Sequence, residues 1–200
     1  MKQKQLELFL QKIPSPSDPK PHLEQYQTPA ALAADMLYTA LAHGDIEKKT
    51  VIDLGCGTGI FSIGAVILGA KHAIGIDSDS SSINIAKRFT KNNNLSVEFI
   101  HQDVSSVDIT GDTVVMNPPF GAQKGNENAD RLFLKKAMAI AHVVYSLHLA
   151  ETLPFLQKLI RSLQGTIEVQ NHYDFIIPSM FSFHKDIKRT FSVVFIRISR

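Results

Sequence analysis

The sequence predicts an α/β fold in which a mostly parallel seven-stranded sheet carries helices on both faces and ends in a C-terminal antiparallel hairpin. Three observations predict it. From residue 50 onward, short apolar runs rich in Val and Ile alternate with longer segments of helical periodicity, the pattern of successive strand–helix crossovers. A glycine turn at 55–59 lies between the first such run and the first such helix. The last two apolar runs follow one another through a basic loop with no helix between them, which suits an antiparallel pair and not a parallel one.

The elements follow in order. Residues 1–13 form a short amphipathic helix, with Leu6, Phe9, Leu10 and Ile13 at helical spacing. Pro14, Pro16, Pro19 and Pro21 break it and make an extended arm. Thr28 is expected as an N-cap, with Pro29 at the first helical position of a helix reaching about residue 42. Strands are expected at 50–54, 72–77, 97–101, 112–116, 143–147, 166–177 and 190–198. Helices fall at 60–68, 80–91, 130–141 and 153–162. The fourth strand ends at Pro118-Pro119, which cannot continue a hydrogen-bonded ladder. This divides the chain into an N-terminal helical arm, 1–42, and a single globular unit, 43–200.

Composition removes several function classes. At 200 residues the chain is long enough to bury a core without disulfides or structural metal. Its 44% hydrophobic and 20% charged residues are ordinary for a globular domain. A net charge of +2 permits a local basic patch but not a uniformly cationic surface. The single cysteine excludes an intramolecular disulfide framework and a cysteine-cluster zinc site, and His22, His43, His72 and His142 lack metal-ligand spacing. No metal is expected. With no membrane-length apolar run and Lys-Gln-Lys-Gln after Met1, the expectation is a soluble, cytoplasmic protein.

The turn Gly55-Cys56-Gly57-Thr58-Gly59 leads from a strand ending Asp53-Leu54 into a helix beginning near Ile60. Glycines there let the backbone turn sharply and approach a ligand, and the helix start offers free N–H groups. Asp77, at the end of the next strand, stands where a carboxylate accepts both ribose hydroxyls of an adenosine. The spacing departs from the dinucleotide fingerprint, because Ile60 occupies the position of the third glycine. Asp53 would repel a pyrophosphate yet suits a cationic amine. A ligand with adenosine at one end and ammonium at the other is S-adenosylmethionine. Asp103, after the third strand, is placed to meet the adenine amino group. Cys56 reads as a small buried spacer rather than a reactive thiol.

Asn117-Pro118-Pro119-Phe120 ends the fourth strand beside this crevice. The prolines preset the backbone, so the Asn117 side-chain oxygen and a backbone carbonyl offer two acceptors of fixed direction. Together they can grip a planar amino group and draw its lone pair out of conjugation, as attack on a methyl sulfonium requires. Phe120, expected to be exposed, can stack on the ring that carries the amine.

DLGCGTG with NPPF resembles the class I amino-methyltransferases. LEQYQTP at 23–29, MNPPFG at 116–121, VYSLH at 144–148 and FHK at 183–185, in that order, resemble the adenine-N6 methyltransferases of small-subunit ribosomal RNA. This methyltransferase-like 5 family has a eukaryotic form and archaeal relatives, and the compact chain is most similar to an archaeal-type member. The likeness runs from about residue 20 to 198. It implies a class I Rossmann-like methyltransferase fold, S-adenosylmethionine as cofactor, and an N-terminal segment acting as a cofactor lid. Matching cofactor positions are Gln25, Thr28, Gly55, Thr58, Ile60, Asp77 and Asp103, beside the Asp53, Gly57 and Gly59 of the turn. Asn117 to Phe120 match the catalytic segment. Thr58 replaces a cysteine of the eukaryotic form, and Gln27 a more usual proline. The resemblance also implies a small zinc-binding activator protein as heterodimer partner. The apolar 143–147 run and the surplus apolar residues of 130–141 suggest an exposed docking surface for it near a sheet edge.

Two other function classes stay open at this point: methylation of a protein glutamine or a cytosine amine, and a non-catalytic cofactor-binding ribosome assembly factor. Lys185, Lys188, Arg189, Arg197 and Arg200, with His184, read equally well as an RNA-backbone contact or a solvated loop. The polar stretch after Lys124, residues 125–128, is expected to order on substrate binding.

Overall fold

A computed structural model describes residues 1–16, 18–20, 24, 25, 27–120, 129–178 and 188–200. The order of elements is α1 (Gln3–Leu10), α2 (Ala30–Ala42), β1 (Thr50–Leu54), α3 (Ile60–Ile67), β2 (His72–Asp77), α4 (Ser80–Asn92), β3 (Glu98–His101), β4 (Thr113–Met116), α5 (Ala129–Ile140), β5 (Val143–Leu149), α6 (Leu153–Ser162), β6 (Thr166–Pro178) and β7 (Lys188–Ser199). The seven strands form one sheet in the order β3-β2-β1-β4-β5-β7-β6. β1 to β5 pair in parallel, and β7 runs antiparallel to both β5 and β6.

Alternation of side chains along each strand feeds two cores. Val51, Tyr145, Val193 and Phe195 pack on one face with α1, α2, α3 and α4. Ile52, Val144, Val194 and Ile196 pack on the other with α5 and α6. The VYSLH segment is therefore strand interior: Val144, Tyr145, Ser146, Leu147 and His148 are all buried. His148 meets Ser146 Oγ at 2.8 Å, and burial lowers its pKa to about 3, so it stays neutral.

Two expectations need correction here. β5 is not near a free edge, because the long strand β7 returns to pair along its whole length. Leu134, Ala137, Met138 and Ile140 of α5 are likewise core rather than surface. The second concerns Thr28, which does not cap α2: that helix begins at Ala30 behind Pro29, with no side-chain cap. No helix among the described residues is long and apolar enough to cross a membrane.

Candidate active site

The parallel strands reverse their order at β1, which has β2 on one side and β4 on the other. A crevice outside the carboxyl ends of strands at such a switch point is where open α/β sheets bind ligands. The chain fills that position with Gly55 after β1, Ser78 after β2 and Asn117 after β4, and all three line a cavity of about 550 Å³. That volume suits a ligand the size of a nucleoside with an amino-acid tail.

The glycine turn is fastened to the neighbouring strand. Gly55 and Cys56 donate backbone N–H bonds to the Ile76 carbonyl at 2.8 and 2.9 Å. Gly57, at φ +53°, donates to Asp77 Oδ2 at 2.7 Å, and a Cβ at that position would meet nothing within 4 Å. Open space therefore lies over Gly57. At Gly55, φ +74°, a Cβ would stand 2.8 Å from the ring of Phe133, so the aromatic wall from α5 closes directly on the turn. Cys56 is buried, and burial raises its thiol pKa well above the usual value, which disfavours a thiolate.

Gly55, Gly57, Thr58, Ile60, Asp77 and Asp103 all line the cavity, as do Gln25 and Thr28 from the N-terminal arm. Gly59 does not. It starts α3 in the left-handed region at φ +88°, where it shapes the turn. Asp53 is not among the lining residues either. It lies beneath the turn, accepting the Ser62 N–H at 2.8 Å on Oδ2, with Oδ1 buried and without a hydrogen-bond partner. Burial pushes its pKa up to about 7, against the lowering effect of Ser62. Its placement organises the turn instead of offering a counter-ion at the cavity surface. Burial raises Asp77 too, opposed by N–H donation from Asp79 and Gly57. Asp103 accepts from Ser105 N at 2.8 Å, holding the turn Val104–Ser106, and this side-chain and backbone donation lowers its pKa.

The segment after β4 is asymmetric. Asn117 Nδ2 donates to Thr28 Oγ1 at 3.0 Å, whereas Asn117 Oδ1 is buried without a hydrogen-bond partner. The Thr28 hydroxyl thus fixes one end of the amide, and the other end is a buried acceptor with no hydrogen-bond partner. Pro118 is buried and Pro119 lines the cavity. Phe120 is half-buried against the core, where the sequence suggested an exposed ring.

Sequence reasoning missed two features. Asp79 caps the start of α4 through Ser81 and Ser82. It also binds Lys20 Nζ at 2.6 Å and Gln25 Nε2 at 2.9 Å, pinning the N-terminal arm across the cavity. Burial raises its pKa, but those donors outweigh burial and hold the carboxylate far below its usual range. The second feature is the apolar wall of Leu132 and Phe133. The surplus of apolar residues on α5 was its only signal.

Several predicted basic positions have other fates. Arg197 is buried and paired with Asp45 and Glu168, so it is not an RNA-backbone contact. Arg200 donates from Nη1 to the Met138 carbonyl at 2.9 Å. Lys188 and Arg189 belong to β7. His22, Lys124, residues 125–128, and the FHK segment with His184 and Lys185 lie outside the described residues.

The chain is similar to known methyltransferases. The ribosomal protein L11 methyltransferase (PrmA) family model matches residues 33–118. Over the full chain the sequence is 37% identical to the zebrafish (Danio rerio) rRNA N(6)-adenosine-methyltransferase METTL5, covering 99% of that protein. It is 36% identical to the Drosophila melanogaster Mettl5 across 98% of the chain and 96% of the relative. Among solved structures, a proposed RNA methyltransferase from Pyrococcus horikoshii superimposes with a TM-score of 0.93 at 37% identity, covering 100% of this chain and 98% of that one. The S-adenosylmethionine-bound magnesium protoporphyrin IX methyltransferase of Synechocystis shares the fold at a TM-score of 0.67, covering 84% of this chain and 78% of that one, at only 16% identity.

Proposed function

We propose, from the premise that this chain belongs to the METTL5-type family of rRNA N6-adenosine methyltransferases, that it methylates the exocyclic N6 of an adenine in small-subunit rRNA. It is a methyltransferase, and S-adenosylmethionine is its expected cofactor. One observation carries the reading: Asn117, at the end of β4 on the wall of a nucleoside-sized cavity, keeps its Oδ1 buried and without a hydrogen-bond partner.

The residues present fit the cofactor. The open space over Gly57 accepts close approach of a ligand to backbone, and the Asp77 carboxylate keeps further lone pairs for ribose hydroxyls. Gln25 and Thr28 line the cavity from the arm, and Asp103 lines it from the turn after β3. When bound, the cofactor supplies an electrophilic methyl group on a sulfonium.

This chain's own residues then handle the acceptor. Asn117 Oδ1 and the Pro118 carbonyl accept the two hydrogens of an exocyclic amine and favour a pyramidal nitrogen over a conjugated one. Phe120 packs against the base. No strong base is required, because the proton becomes acidic once the nitrogen is alkylated and passes to an acceptor oxygen. The family likeness further supports a small zinc-binding activator protein as partner and, within the N-terminal arm, the segment carrying Gln25 and Thr28 as a cofactor lid. With β5 interior, the free sheet edges are β3 and β6.

Radiolabelled S-adenosylmethionine incubated separately with RNA and protein substrates, followed by nucleoside and amino-acid analysis, tests the reading. Label is expected in N6-methyladenosine of small-subunit rRNA; label in cytosine or glutamine overturns it. Two substitutions check the site. Asp77→Ala is expected to weaken S-adenosylmethionine binding by about 1–3 kcal/mol, the scale of hydrogen bonds to a charged group, as read by calorimetry. Thr28→Val is expected to cut kcat about tenfold by freeing the Asn117 amide, whereas Thr28→Ser, which keeps the hydroxyl, holds the rate.

A further inference from the structure

Among the described residues only four large hydrophobic side chains are exposed: Met1, Leu8, Leu132 and Phe155. Leu132 and Phe155, at 44% and 38% exposure, sit in the opening turns of α5 and α6. α5 follows the Asn117–Phe120 segment beyond β4, and α6 follows β5 through the short turn Ala150–Thr152. Both helix starts therefore stand at the carboxyl end of the sheet, where the cavity opens, and Leu132 itself lines that cavity.

The Arg131 guanidinium lies over the Phe155 ring, 4.2 Å from its centroid. Lys135, one turn beyond Arg131, and Lys158, one turn beyond Phe155, are exposed on the same helix faces. Among the described residues of these two helix starts the acids are Asp130 and Glu151, against the cations Arg131, Lys135 and Lys158. An exposed aromatic face joined to a planar guanidinium is a stacking surface that accepts any nucleobase, and the adjacent cations suit phosphates. Aromatic and arginine side chains also serve protein–protein interfaces, but lysines are depleted there, and it is the exposed Lys135 and Lys158 that favour a nucleic-acid occupant. Methylating an adenine inside the cavity requires that the base leave its stack, and this strips its neighbours of a stacking partner.

We infer that Arg131 and Phe155, at the same end of the sheet as the cavity-lining Leu132, form a platform on which a single-stranded nucleotide flanking the target adenine stacks. This rests on the RNA reading above and adds to it the surface that seats the substrate strand.

The test compares the full chain with Phe155→Ala, Phe155→Leu, Phe155→Trp and Arg131→Gln, using small-subunit rRNA as substrate. KM for RNA is expected to rise about tenfold in Phe155→Ala and Phe155→Leu and to recover in Phe155→Trp, the scale of one lost base stack. The kcat at saturating RNA and the S-adenosylmethionine Kd stay unchanged in all of them. Arg131→Gln is expected to raise KM and to reduce the slope of log affinity against log salt by about one. Phe155→Leu separates stacking from simple apolar contact, and unchanged thermal melting confirms that the exposed ring is not core. A wild type that labels RNA while Phe155→Ala keeps its KM, or a Phe155→Leu equal to wild type, overturns the platform alone. A wild type that labels no RNA overturns the parent reading, and the platform with it.

Discussion

Asn117→Ala is expected to bind S-adenosylmethionine within about twofold of wild type while losing roughly 10²–10³-fold in kcat, the scale seen when one preorganised polar contact to a transition state is removed. The asymmetry follows from where the side chain's two ends go. Nδ2 is occupied by Thr28, and Oδ1 is buried with no partner, so its desolvation is already met in the folded chain. An acceptor held that way interacts more strongly with an amine as the nitrogen becomes pyramidal and its hydrogens more acidic. Only such a differential interaction accelerates the chemical step. Single-turnover labelling of RNA with saturating cofactor, beside calorimetric titration, reads both halves. A rate near wild type would remove Asn117 from the chemistry.

How much of this was legible in the sequence differs by kind of feature. β1 and β2 begin and end where the apolar runs suggest, at 50–54 and 72–77, because turn residues bound them sharply. The glycine turn and Asp77 were readable for the same reason: they are local, and a strand, turn and helix place them. What could not be read is long-range. Thr28 stands before Pro29 and looks like a cap, yet its hydroxyl meets a residue 89 positions away. Leu132 and Phe133 look like excess core until α5 is laid against the turn, where the ring of Phe133 closes on Gly55. The apolar 143–147 run resembled a poorly covered edge because periodicity does not reveal which strand returns beside it. β7 does, and it brings Arg197 with it.

That arrival explains the largest stability effect expected here. Asp45, in the turn before β1, accepts from Tyr145 Oη at 2.6 Å and from Arg197 Nε at 2.9 Å, both on Oδ2. Its backbone carbonyl accepts from Thr113 Oγ1 at 2.7 Å, so one residue ties β4, β5 and β7 together. Arg197 is only 8% exposed and donates as well to the more exposed Glu168. Burial and the adjoining Asp45 carboxylate hold the Tyr145 hydroxyl protonated, well above its usual pKa. Asp45→Ala leaves a buried guanidinium with only Glu168 and the Tyr145 oxygen as acceptors, and a buried phenol with none for its proton. Removing one member of a buried ion pair costs about 3–5 kcal/mol, and the retained Glu168 contact argues for the lower end. A loss of about 3 kcal/mol is therefore expected in urea denaturation, together with a fall of roughly 6–12 °C in Tm for a chain of this size. Asp45→Leu combined with Arg197→Met should recover more than half, because the double change removes both charges from the interior. The cluster sits at the ends of the strands away from the cavity, so kcat measured well below the lowered Tm should not move. A single-mutant loss under about 1 kcal/mol would mean that Asp45 is dispensable as a partner of Arg197.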